Sequence, residues 1–431
     1  MKPRIVKWNI DSKSRTVNDF VKRPAFDDKA ETAAAAVLSD IRKDGNKAIA
    51  KYCKKFDKAT LKPSDFKVKR SELVAAKKKI SKECLSAVRE AHKRVKAFAK
   101  AGIRKDWSMS TGRGGNIGEK FVPLDRIGVY VPGGAAPLAS TALMTVTLAK
   151  TAGVPEIVAC TPCGPDKQVD PVLLHALEVS GATEVYRVGG IQSIGLMAYG
   201  TSTIKKVQKI VGPGGAYVTA AKRQVYGNVA LDLVAGPSEI AILADSSANS
   251  KYVAADLLSQ AEHGTGHEKA LLVTSSSKLA QSVQKEVIKQ AAELPANPGL
   301  DEVIQRGMLI VVVKNLDIGM ELCNMFAPEH FEILVNKPKT WLKKVRCAGA
   351  VFLGNWSPEA VGDYVAGPSH VLPTGGAAEM FSGLTVDDFR RRTSFISFTK
   401  ADLKDTLPAI ETFGAVEGLH AHAKSARIRF E

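Results

Sequence analysis

Apolar positions in the first hundred residues recur at spacings of three and four, which predicts amphipathic helices over residues 30–42, 72–80 and 82–100. From Ile127 the texture changes. Short apolar runs end in glycine or proline and lead into helical stretches of small residues. Residues 127–131 read as a buried strand, Pro132-Gly133-Gly134 as its turn and 137–150 as the helix that follows. Runs at 156–160, 184–188, 209–211 and 229–233 repeat the theme, with helices such as 171–179 between them. A second series of strands covers 240–244, 270–274, 309–313, 331–335 and 350–353. Alternating strands and helices predict an α/β fold: two Rossmann-like open parallel-sheet domains, a helical N-terminal subdomain and a small helical C-terminal tail. The expected boundaries are 26–106 for the helical subdomain, 127–236 for the first sheet domain and 237–382 for the second. Residues 1–25 and 107–126 are expected to join the second sheet domain. The tail, 383–431, is read as helical at 387–392 and 403–424.

With 431 residues, 45% hydrophobic and 6% aromatic, the chain is long enough for two to four domains around a large core. The net charge of +17 raises nucleic acid as a partner, so its location matters. Residues 1–105 carry 30 Lys or Arg against 12 Asp or Glu, and the remainder carries 31 against 32. The excess is therefore N-terminal. Its clusters, Lys77-Lys78-Lys79 and His92-Lys93-Arg94, lie on helical patterns with Val74, Ala75, Leu85, Val88, Val95 and Phe98 assigned to the inner face, which reads as a solvated basic surface. No aromatic or glycine pattern of a nucleic-acid module accompanies it, so no specific nucleic-acid partner is expected. The competing reading makes 1–105 a polyanion binder whose affinity collapses with salt. No apolar run matches a bilayer's thickness, no signal core opens the chain, and six scattered cysteines suit a reducing compartment, which together predict a cytoplasmic protein. Cys160-Thr161-Pro162-Cys163 is a lone pair at a strand end and reads as packing rather than redox chemistry.

The chemistry concentrates elsewhere. Gln260 and His263, three apart, share one face of the last turn of an apolar helix, and Gly264 and Gly266 end that helix in a loop. An amide oxygen and an imidazole there could hold a metal, or the imidazole could simply bond the last carbonyls. Six of the eight histidines fall after residue 260, and the C-terminal half offers Gln260, His263, Glu329, His330, Asp363, His370, Glu417 and His422. Ala327-Pro328-Glu329-His330 sets a carboxylate beside an imidazole at an element boundary, as acid–base chemistry requires. Glu417 and His422 lie on a tail too small for its own core, which suggests that it completes a site elsewhere, including one in a second subunit. Glycine turns recur at Gly189-Gly190, Gly212-Pro213-Gly214-Gly215, Gly236-Pro237-Ser238-Glu239 and Gly367-Pro368-Ser369-His370, but none matches the dinucleotide fingerprint G-x-G-x-x-G. Ligands are expected beyond the carboxyl ends of the strands of both sheets.

Several stretches together resemble the histidinol dehydrogenase family: Val129 to Gly134, Ala198-Tyr199-Gly200-Thr201, Ala221 to Val225, Ala235-Gly236-Pro237-Ser238-Glu239, Asp256 to His263, Ala327 to His330, Gly354 to Glu359 and Gly367 to Gly376. The resemblance spans nearly the whole chain. It implies a homodimer with shared active sites, a zinc ion and NAD. It further implies oxidation of L-histidinol through L-histidinal to L-histidine. By motif position Gln260, His263, Asp363 and His422 resemble the zinc ligands, Glu329 and His330 the catalytic pair, and Ser238, His370 and Glu417 the rest of the substrate pocket. Tyr130, Gln192 and Gly215 stand where the family contacts its cofactor. Gly215 departs from the asparagine common there, and the segment after His263 also differs. Those departures keep open a relative that oxidises another small primary alcohol, such as a sulfonated propanediol.

Overall fold

The computed structural model describes residues 2–11, 14–23, 28–133, 137–233, 236–263 and 265–431. Gly134 of the first glycine turn, Ala235, Gly264 and the expected boundary at residue 26 lie outside the described residues.

Strand β1 (Arg4–Lys7) precedes a run of helices: Asp28–Asp44, Asn46–Phe56, Arg70–Ala76 and Lys82–Gly102. The Asp28–Asp44 helix follows from its sequence. Asp28 and Glu31 in its first turn and Arg42 and Lys43 in its last complement the helix dipole, while Ala30, Ala34, Val37, Leu38 and Ile41 bury one stripe. That stripe packs closely enough that a Cβ on Gly195 would lie 2.7 Å from Ile41 Cδ1. Of the inner face read from sequence in the next helices, Val88 and Val95 are buried, whereas Val74 and Phe98 are half exposed and their neighbours Leu73 and Ala99 are buried instead. The Asn46–Phe56 helix was not foreseen, because four lysines interrupt its apolar positions.

After β2 (Trp107–Ser110) and β3 (Asn116–Pro123) come five parallel strands: β4 (Arg126–Tyr130), β5 (Glu156–Cys160), β6 (Glu184–Tyr186), β7 (Lys209–Val211) and β8 (Ala230–Leu231). Their order is β6-β5-β4-β7-β8. The N-terminal helices share one continuous core with this sheet. The second sheet contains β9 (Glu239–Ala244), β10 (Lys269–Thr274), β11 (Met308–Val312), β12 (His330–Leu334) and β13 (Ala350–Leu353). With β1 it runs β1-β11-β10-β9-β12-β13, all parallel, so the fold is α/β with two open parallel sheets. Buried side chains on both faces explain why these strands read as continuous apolar runs.

Two sequence expectations are corrected here. Residues 107–126 do not extend the second sheet: β3 pairs antiparallel with β2 on one side and on the other with β14 (Arg390–Ser397), which comes from the other end of the chain. The tail is therefore not wholly helical, since 390–397 finds partners in β3 that local periodicity cannot reveal. Helices Lys400–Val416 and His420–Arg427 follow it. No helix of the described residues is long and apolar enough to cross a membrane.

Candidate active site

The Ser250–Ala261 helix is capped by Asn249, whose side chain accepts from Lys251 N, and buries Val253, Ala254, Leu257, Leu258 and Ala261 against the second sheet. It runs back toward the amino ends of the strands, so Gln260, fully buried, and His263 arrive at that edge. Pro328 and Glu329 lead into β12, whose first residue is His330. The short Glu359–Tyr364 helix then brings Glu359 and Asp363, one turn apart on one face. The second sheet thus gathers its chemistry at its amino edge, contrary to the carboxyl-edge expectation. The reason is that the donors sit on returning helix ends and strand starts.

His330 is the centre of this cluster. Its Nδ1 lies 3.4 Å from Glu359 Oε1 and 3.9 Å from Glu329 Oε2, and its Nε2 lies 3.6 Å from Asp363 Oδ1. At that last distance Nε2 is buried without a hydrogen-bond partner. Burial alone would lower the imidazole, but the three carboxylates outweigh it and push its pKa up to about 10. Burial pushes Glu329 up to about 8, although Glu239 N–H donates to its Oε2 at 3.0 Å. Glu359 is likewise pushed up to about 7 by burial. Asp363 moves the other way, because the His330, His370 and His263 imidazoles overcome its burial. Behind Glu359, whose N–H donates to Glu332 Oε1 at 2.9 Å, Glu332 and Asp256 are both raised by burial and hydrogen-bond to each other, as two carboxyls sharing a proton do.

Hydrogen bonding orients the remaining groups. One end of the Gln260 amide faces the Glu239 carbonyl and Glu359 Oε1, each at 3.0 Å, and is therefore the NH2. Its oxygen then faces His263. His263 Nδ1 donates to the Gln260 carbonyl at 3.1 Å, which leaves Nε2 as the free lone pair. His370 Nδ1 donates to the Asp363 carbonyl at 3.1 Å, and its Nε2 accepts from Thr141 Oγ at 3.0 Å. Burial lowers the His370 pKa and so favours this neutral form. Thr141 begins the Ala139–Ala152 helix that follows β4, so His370 ties the cluster to the first sheet. Ser238 directly precedes Glu239 at the same edge.

The first sheet presents its carboxyl edge. Tyr130 ends β4, Gln192 stands in the first turn of the Gly190–Tyr199 helix, and Gly215 caps the Ala216–Val225 helix. Buried Gln192 Oε1 and Thr161 Oγ1 have no hydrogen-bond partner there, and a Cβ on Gly215 would meet nothing within 4 Å. The Gly212–Gly215 turn is held by a buried ion pair: Asp232 accepts from Gly212 N at 2.7 Å, and Lys222 Nζ reaches Asp232 at 2.5 Å and Gly212 O at 2.9 Å. His422 and Glu417 are not part of either cluster; they line a groove of the tail with Ile410, Phe413 and Leu419. Cys160 and Cys163 are buried free thiols, the latter pushed up to about 11 by burial, so neither is a ready thiolate.

Residue-by-residue reading passed over Glu359, Thr141, Glu239, Asp256 and Glu332 as site groups. Only Glu359 carried a signal, its spacing of four from Asp363. The others face the cluster through folding alone.

Two open sheets meeting at an imidazole ringed by buried carboxylates define an α/β enzyme of acid–base chemistry. A family model described as histidinol dehydrogenase matches residues 21–430. The curated histidinol dehydrogenase of Heliobacterium mobile is 42% identical over 415 residues, covering 96% of this chain and 97% of its own. That of a Synechococcus strain is 43% identical over 399 residues, covering 93% and 92%. The crystal structure of histidinol dehydrogenase from Elizabethkingia anophelis superposes with a TM-score of 0.93 at 35% identity, covering 100% of this chain and 98% of that one. The chain belongs to the histidinol dehydrogenase family, and its activity is an oxidoreductase step of histidine biosynthesis.

Proposed function

We propose that the protein oxidises L-histidinol through L-histidinal to L-histidine, with zinc and NAD, in two successive hydride transfers at the amino edge of the second sheet. The observation that carries the reading is the convergence of Gln260, His263 and Asp363 on the Glu329–His330 pair. His330, Glu359 and Asp363 also bring ligand atoms within 4.8 Å of one another. However, Glu359 and His330 Nδ1 already engage each other and the Gln260 amide. Gln260 Oε1, His263 Nε2 and Asp363 are the free donors, and nitrogen and oxygen donors of this kind fit zinc. When bound, zinc supplies a Lewis-acid anchor that orients the substrate's amine and imidazole.

In its neutral form His330 would take the alcohol proton, a dication bound beside it lowering its pKa from about 10, while the C–H hydride would pass to the nicotinamide. In the second stage Glu329, made basic by burial, would draw a proton from the water that adds to the aldehyde carbon, and the hydrate would give its hydride to a second NAD+. Ser238 and His370 shape the pocket. Tyr130, Gln192 and the open space over Gly215 would hold the cofactor against the first sheet, where unpaired Gln192 Oε1 and Thr161 Oγ1 await polar partners.

Glu417 and His422 complete this reading only from a second copy of the chain, in a homodimer with shared sites. Phe413, Val416 and Ile396 on the tail are 65%, 79% and 75% exposed, an apolar surface suited to burial in such a dimer. The test is NADH formation from L-histidinol by the purified protein, with a chelator and with zinc restored. Two NADH per histidinol, lost with the chelator and regained with zinc, is expected. Absence of turnover by folded, zinc-replete protein would overturn the reading.

A further inference from the structure

Asp57 follows the Asn46–Phe56 helix and is unclaimed by the chemistry above, yet it leans over the carboxyl edge of the first sheet. Its Oδ2 accepts from Gln192 Nε2 at 3.0 Å. Its Oδ1 has no hydrogen-bond partner among the described residues and is not sealed from solvent. Burial raises the Tyr130 hydroxyl and the Cys163 and Cys53 thiols, and the Asp57 carboxylate lies close enough to the ends of β4 and β5 that its charge adds to each. Burial pushes Asp57 itself up to about 6, opposed only by the Gln192 hydrogen bond. Among the described residues no basic side chain offsets it. The same Gln192 keeps Oε1 unpaired and faces Gly190, whose φ of +56° opens the first turn of a helix. A carboxylate held in place, with one free acceptor oxygen, thus sits beside polar atoms that lack partners.

We propose that Asp57 is the residue that selects the cofactor's ribose. Its free oxygen accepts from a ribose hydroxyl of the adenosine half, and its charge excludes a phosphate at that position, so the site takes NAD and rejects NADP. This rests on the nicotinamide-cofactor reading above. The physical basis is general: a carboxylate at the strand ends of an open sheet accepts from vicinal hydroxyls, whereas a phosphate ester there meets like charge in a partly desolvated place. Gln192 positions the carboxylate while its own oxygen remains for the ligand.

The test is equilibrium titration of the full-length protein with NAD+ and with NADP+ at pH 8, without substrate and therefore without turnover. Wild type is expected to bind NAD+ more tightly than NADP+ by about tenfold or more. Asp57→Asn keeps the shape and an acceptor for Gln192, and Asp57→Ser removes the group entirely. Each is expected to weaken NAD+ by about tenfold and to shrink the preference over NADP+ by at least as much, with an unchanged far-UV spectrum. If both folded variants keep the wild-type preference, the assignment to Asp57 fails while the cofactor reading stands. If wild type binds neither nucleotide, the cofactor reading fails and this assignment with it.

Discussion

Replacing Lys222 by methionine removes the cation from an ion pair whose side chains are only 2% and 1% exposed. Methionine keeps the length of the stem, so the change is mainly one of charge. Asp232 keeps one partner, the Gly212 N–H at 2.7 Å, but its other oxygen is left buried and uncompensated, and the Gly212 carbonyl loses its donor. Breaking a buried pair from one side costs about 3–5 kcal/mol, and the surviving Gly212 contact points to the lower end. At about 2–4 °C per kcal/mol for a cooperative unit the size of the first sheet with its helices, the unfolding midpoint should fall by about 10 °C. The turn cannot compensate locally: Gly212 has φ of +117°, and a Cβ there would lie 2.1 Å from the Tyr130 carbonyl, so its backbone has no room to resettle. Cofactor affinity should fall with stability, because this turn carries Gly215. The assay is thermal and urea unfolding of Lys222→Met, Asp232→Asn and the double variant, paired with NAD+ titration. Neutralising both partners should recover about half of the single-variant loss. A cost below about 1 kcal/mol for Lys222→Met, the range of an exposed pair, would refute the claim that this pair holds the turn.

Four further outcomes are expected. Asp57→Asn should stabilise the protein only at higher pH. The folded pKa of about 6 lies above the ordinary aspartate value of 3.8, so wild type loses stability as pH rises through that window; the variant's advantage should grow from none at pH 4 to about 1–2 kcal/mol above pH 7 after allowance for partial exposure, as followed by melting temperature across pH. Glu329→Gln should leave alcohol oxidation within about threefold and slow aldehyde oxidation by about a hundredfold or more, so that histidinal accumulates; equal losses in separate assays on histidinol and histidinal would contradict its role with water. His422→Ala should lower zinc content, and mixing it with inactive His263→Ala should restore activity through mixed dimers, whereas no recovery would rule out sites shared between subunits. Gly215→Asn should raise the melting temperature slightly and tighten NAD+, since Gly215 caps its helix without a side-chain bond and has open space above it; an unchanged midpoint and dissociation constant would argue against both effects.

The sheets were legible because their strands are buried on both faces, and a run such as Glu239–Ala244 cannot be mistaken for an amphipathic surface element. β14 was not: Arg390-Arg391-Arg392 reads as a solvated segment, and only the distant β3 makes it a strand. The Asn46–Phe56 helix hid behind its lysines, and with it went Asp57, whose side-chain hydrogen-bond partner, Gln192, lies 135 positions away. In the site, adjacent or helix-spaced groups such as Glu329 with His330 and Gln260 with His263 showed in sequence. Glu239, Thr141 and Glu332 did not, because each is recognisable only by what it faces.

The two sheets contribute opposite edges, and this polarity accounts for the proposed division of labour. The carboxyl edge of the first offers helix N-termini and glycine turns, where backbone N–H groups favour an anionic cofactor. The amino edge of the second offers a helix C-terminus, where His263 donates to the Gln260 carbonyl, and strand starts that hold carboxylates in apolar surroundings. That environment makes Glu329 and His330 basic, which suits proton removal and suits a dication, but it would repel a pyrophosphate. In the proposed reaction hydride and proton would therefore leave the substrate in different directions. The Thr141–His370 hydrogen bond joins the helix after β4 to the loop that carries His370, and so would couple those two destinations. A substitution at Thr141 would thus disturb hydride transfer without touching a single group that handles protons.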